Sequence, residues 1–209
     1  MGGDGQGAGH LVMDGPFRSG KWATFNGEST KGLTRDFSTV DLRADGKTGI
    51  AAALKLTDYD VAPWNRTSDR TKSFRNQLES GGGTHNSAHL WVGGDLGDPQ
   101  AGVNDPTFWM LHAYVDLVWT QWECDNGLTA FAPDSGARPG HNRNDTMTAF
   151  GVTVGSQLNP FDTSVPGYTY DVNGKTVDPA CPEPSSRLLL ALPLVALFLS
   201  RQFISRRRT

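Results

Sequence analysis

The chain has 209 residues, 37% of them hydrophobic and 10% aromatic, enough for one ordinary domain with a buried core. Its formal net charge is −3 and its pI about 5.9, so no electrostatic signal points to nucleic acid, and that class is set aside. The 25 glycines and 12 prolines predict long irregular segments between regular elements.

Residues 1–10, MGGDGQGAGH, read as a glycine-rich loop. Gly3, Gly5 and Ala8 fit a loose G-x-G-x-x-A, but no strand precedes them, which argues against a dinucleotide site. His10, alone among glycines, reads as solvated, and no basic-then-apolar run of a signal peptide is seen. From Gly20 to Leu54 the alternation is weak and broken by glycine, predicting short strands and loops. Asp58 to Trp64 is a loop of Asp, Pro and aromatic residues. Thr67, Ser68 and Asp69 then offer caps for a helix of about ten residues ending near Glu79, with Phe74 and Leu78 on its buried side.

Thr84 can cap a short helix carrying His85 and His89, stopped by Gly93 and Gly94 after about two turns. Histidines four apart project from one helix face, the arrangement a metal ion needs from a single element. Asp95 to Asp105 reads as a loop leading to a longer helix. There Asp105 can cap, Pro106 is pre-set for the first helical position, and no further Pro or Gly occurs before Gly127. Phe108, His112, Val115, Trp119 and Trp122 follow helical spacing, which puts His112 on the buried apolar stripe. If His85, His89 and His112 hold one metal, the two helices must pack side by side, as in half of a four-helix bundle.

Gly127 to Gly140 reads as a loop, Thr146 to Val154 as a strand, and Pro160 to Asp171 as extended chain. Cys124 and Cys181 can form one bridge in an oxidising compartment, and Asn65-Arg-Thr and Asn144-Asp-Thr match the glycosylation sequon. Residues 172–186 form a linker. The tail, residues 187–209, holds an apolar run from Leu188 to Leu199 followed by arginines. This suits a membrane anchor if Arg201 snorkels, or an interfacial helix. Together these features predict a secretory or membrane-anchored protein with its main domain outside the cytosol.

The string HNSAHLWVGG, followed by NDPTFWMLHAYVDLVW, resembles the copper-B site of tyrosinases and related type-3 copper proteins, nearest to the bacterial kind. The family pattern is His-Asn-x-x-His, a Gly-Gly, then Asn-Asp-Pro-x-Phe-Trp-Leu-His-His-Ala-x-x-Asp. The sequence departs at the His-His pair, where Leu111-His112 stands, and the family's ligand is the second of the two. Leu117 stands where the family usually has Arg. The resemblance implies copper bound by His85, His89 and His112, with Asp116 ordering the helix or a ligand. It implies a mainly α domain with long irregular loops and a few short strands, built over residues 1–171 as half of the tyrosinase-type bundle.

Met13-Asp-Gly-Pro-Phe17 resembles the segment between the family's two copper sites, and Tyr168-Thr-Tyr170 its closing tyrosine motif. The Pro-Trp-His-Arg mark of copper A has no counterpart. In the family, paired coppers and dioxygen convert phenols and o-diphenols to o-quinones, the entry to melanin. An asparagine and an upstream glutamate hold a water that takes the phenol's proton; Asn86 matches the asparagine directly, and Glu79 occupies the glutamate's place with a spacer to His85 roughly two residues shorter than the bacterial pattern. Three neutral imidazoles suit copper and zinc alike. The residue after His85 is Asn86 rather than the glutamate of a His-Glu-x-x-His zinc peptidase. A non-catalytic copper-binding module and a mononuclear zinc enzyme therefore stand as the alternatives.

Overall fold

The computed structural model describes residues 2–24, 32–38, 42–80, 84–127, 130–158, 170–172 and 175–177. Cys181, Tyr168 and the apolar tail, and with them the expected bridge, closing tyrosine motif and anchor, lie outside these residues. No helix among the described residues is long and apolar enough to cross a membrane.

The domain is mainly helical, with few and short strands. Among the described residues five helices follow one another: α1 (Leu42–Ala53), α2 (Phe74–Ser80), α3 (His85–Val92), α4 (Gly94–Gly97) and α5 (Thr107–Asn126). The strands pair as two small hairpins, β1 (Thr146–Met147) with β2 (Val152–Thr153), and β3 (Tyr170–Val172) with β4 (Lys175–Val177). The second hairpin reaches into the stretch expected to be linker.

Helix α5 is the axis. At 20 residues it is about 30 Å long, and Asp105 starts it by accepting the Thr107 N–H at 2.8 Å. Its buried line is Leu111, Val118 and Trp122, spaced i, i+7 and i+11. The expected stripe through Phe108 and His112 is off this line: His112 is only half-buried, leaving its ring free to face a site. Around Trp122, residues Ile50 and Ala53 of α1 and Phe74 and Leu78 of α2 close the main core. Phe74 stacks on Trp122 with ring centroids 4.8 Å apart, and Tyr59 packs against Phe131 at 4.4 Å. The Trp122 indole N–H donates to Leu56 O at 2.6 Å, so the largest buried side chain leaves no orphan donor.

Four expectations are corrected. Residues 42–53 form α1 rather than strands and loops; Gly46 and Gly49 lower helix propensity and hide it, and burial of Ile50 and Ala53 outweighs them. Helix α2 begins at Phe74, because Ser73 Oγ accepts the Asn76 N–H while Ser68 Oγ donates to Val61 O, tying the earlier candidate cap into the preceding turn. The Asp95 to Asp105 loop contains α4 and a 3-10 turn, Gly102–Asn104. The strand expected over 146–154 is a hairpin, turning at Gly151 with φ 70°.

The N-terminal segment forms a seam against α3 and α4. Asp36 N–H donates to Val92 O, Ser38 N–H to Trp91 O and Asp95 N–H to Thr34 O. The seam passes over Gly93 and Gly94, where a Cβ would lie 2.5 Å from Asp36 O and 2.3 Å from Thr34 O respectively. Only glycine permits that approach. Arg35, fully buried, makes a two-pronged bond to Asp105, with both N···O distances 2.7 Å. It also donates to Thr107 Oγ1 and Gly2 O. One guanidinium thus joins the N-terminal segment to the entry of α5.

Candidate metal centre

Helices α3 and α5 pack through Ala88 and Leu111, flanked by Trp91 and Val115. This contact brings His85, His89 and His112 together, as the sequence predicts, with one ligand-capable atom from each lying within 4.8 Å of the others. The nitrogens that converge are the Nε2 atoms: His85 to His112 is 3.1 Å, and His85 to His89 is 3.1 Å.

The opposite edge of each ring fixes its proton. His89 Nδ1 lies 2.7 Å from Leu96 O, and His112 Nδ1 lies 2.7 Å from Phe108 O. A carbonyl only accepts, so in both rings Nδ1 carries the hydrogen and the neutral ring presents a bare Nε2 lone pair. His85 Nδ1 meets the Glu79 carboxylate at 3.0 Å and Asn86 Oδ1 at 3.1 Å, with the same result. When all three rings are neutral, none has a proton to offer another across 3.1 Å. A cation among the three lone pairs removes the repulsion. Two nitrogens each about 2.0–2.1 Å from one ion stand about 3.1–3.4 Å apart at near-tetrahedral angles, so these residues fit a metal ion.

The electrostatics favour the binding form. Burial pushes the His89 imidazolium pKa down, and the neighbouring His85 and His112 rings add to this, keeping the ring neutral. Glu79 is held below its usual range by its hydrogen bond from His85, against an opposing effect of burial, so its carboxylate is anionic. Phe108 stacks on His112 with centroids 3.9 Å apart and stands edge-on to His89 at 6.1 Å, walling one side. Asp116, expected to order the helix or a ligand, is not the partner of any of the three Nδ1 atoms, which meet the groups named above. The Leu96 and Phe108 carbonyls that orient two of the rings leave no trace in a one-letter sequence, because every residue has a carbonyl.

Residues 3–125 match the sequence pattern of the common central domain of tyrosinase. The chain belongs to the tyrosinase family. It is 34% identical over 163 residues to a tyrosinase of Streptomyces glaucescens, covering 76% of this chain and 58% of that protein. For a tyrosinase of Streptomyces lincolnensis the identity is 36% over 154 residues, 70% of this chain and 54% of the relative. For one of Streptomyces antibioticus it is 34% over 183 residues, 82% and 62%. The chain therefore spans between about half and three-fifths of the length of these relatives. The tyrosinase family consists of type-3 copper oxidoreductases, and the three-histidine cluster fits the cofactor of that family.

Proposed function

We propose that this chain provides the copper-B half of a tyrosinase-type oxidoreductase acting on phenols or o-diphenols with dioxygen. The observation that carries the reading is the convergence of the Nε2 atoms of His85, His89 and His112. Copper held there supplies dioxygen binding and electron transfer. Each o-diphenol that becomes an o-quinone gives up two electrons and two protons, and dioxygen accepts four of each from two turnovers to leave water.

The chain's own residues hold the site and handle the proton. Leu96 O and Phe108 O keep two rings in the ligand tautomer. Phenol ionises near pH 10, so a neutral-pH reaction needs a base. Glu79 and Asn86 stand together at the Nδ1 edge of His85. Glu79 Oε1 has no protein partner among the described residues and is the acceptor we assign to a water that takes that proton. All five histidines of the chain are among the described residues, so copper A is assigned to sequence upstream of these 209 residues or to another chain, and melanin-type products follow from the same chemistry.

Metal analysis of protein grown with copper and zinc tests the reading. One equivalent of copper per chain, with little o-quinone formed from an o-diphenol by the chain alone, is the expected result. Robust o-quinone formation by the chain alone would refute the half-site. Bound zinc in place of copper would favour the mononuclear zinc enzyme. A copper-binding module without catalysis is the second reading, favoured by there being a single such histidine cluster among the described residues.

A further inference from the structure

The three imidazoles are held in two different ways. His89 and His112 donate to main-chain carbonyls, Leu96 O and Phe108 O, whereas His85 is held only by side chains, Glu79 and Asn86. We propose that Glu79 is the positioning residue of His85: its carboxylate fixes the Nδ1–H tautomer, aims Nε2 at the metal and lends the site negative charge. The proposal deepens the copper-site reading and rests on it for the identity of the metal.

Two acceptors face a single N–H. The carboxylate is closer, at 3.0 Å against 3.1 Å for Asn86, and an ionic acceptor makes the stronger bond, roughly twice that of a neutral one. Glu79 is also better anchored. It sits in the last turn of α2, whose Phe74, Asn76 and Leu78 are buried, and Thr84 Oγ1 reaches Gln77 O at 3.5 Å to hold the start of α3 against α2. Asn86 is exposed. Only Oε2 of Glu79 contacts the ring, so the role of Oε1 toward a water is separate.

A carboxylate behind a metal-bound imidazole raises its basicity, and losing such a partner typically costs 10- to 100-fold in metal affinity. The test combines ring-nitrogen NMR of the metal-free chain with a competition titration of copper against a chelator. In the wild type, His85 is expected in the Nδ1–H form. Glu79→Ala should convert His85 to a mixture of tautomers and weaken copper about 10- to 100-fold. Glu79→Gln keeps an acceptor without the charge, so it should retain the tautomer and recover part of the affinity. Asn86→Ala should do less than Glu79→Ala on both readouts.

The Glu79 side chain is 41% exposed, so thermal melts of these variants should stay near wild type. The proposal is overturned if Glu79→Ala leaves the His85 tautomer as in the wild type, or if Asn86→Ala shifts it further than Glu79→Ala. Because the tautomer is read without metal, a wild-type chain that takes up no copper would defeat the functional reading and leave the NMR result to decide this one.

Discussion

The two ends of α5 are built on opposite principles. Toward its C-terminus, Trp122 and Val118 are sealed among Phe74, Leu78, Ile50 and Tyr59, and stability there comes from apolar area removed from water. Toward its N-terminus, His112 and its two partners are only half-buried, and their order comes from hydrogen bonds to ring nitrogens and a buried ion pair. A core tolerates any well-packed filling of similar volume. The site depends on which nitrogen carries a proton, so its tolerance is chemical rather than volumetric. Helix α2 bridges the two, with Phe74 in the core and Glu79 against His85.

The largest effects should come from cutting each end at its anchor. Arg35→Met leaves the Asp105 carboxylate buried without its partner and should cost about 3–5 kcal/mol in urea unfolding. Phe74→Ala empties the stack on Trp122 and should cost a similar ~3–5 kcal/mol. In folded Phe74→Ala protein, the ring-nitrogen signals of His89 and His112 should stay in place, because their partners are carbonyls on α4 and α5. If those signals move, the two ends are not separable.

A smaller effect separates them from the other side. Copper at 100 times its dissociation constant should raise wild-type stability by about 2.7 kcal/mol. His89→Ala should abolish most of that gain while changing the melt of the metal-free chain little. An unaltered copper response would remove His89 from the ligand set.

A pH-dependent effect concerns Glu123, one residue past Trp122. Burial, with Asp116 adding to it, raises its carboxyl pKa from 4.5 to about 8. The folded state therefore binds the proton more tightly than the unfolded state. This group's stabilisation is full below about pH 4.5 and is lost as pH rises through about 8. Glu123→Gln should flatten the fall in stability over that window in pH-dependent melts; an unchanged slope would show that Glu123 ionises normally.

The site was more legible in the sequence than the fold around it. Helical spacing of His85 and His89, and the Asp105-Pro106 start of α5, are local signals, and the resemblance supplied His112 and copper. Missed were features that only tertiary contact decides. Helix α1 carries two glycines that local propensity penalises, and Ser73 displaced earlier cap candidates because Ser68 was already bonded to Val61. The line of deepest burial on α5 runs through Leu111 rather than His112, since a bulky apolar run fits several helical stripes until the neighbours choose one.

The glycine pair after His89 carries a different lesson. A reader of motifs counts Gly93 and Gly94 as part of a copper signature, yet neither touches a ring. They leave room for the backbone of Thr34 and Asp36 to pass at a distance where any Cβ would collide. What looks like a mark of chemistry is the imprint of one strand of chain lying across another. Transplanting the histidines onto a new scaffold would need no glycines there, whereas transplanting the N-terminal segment would.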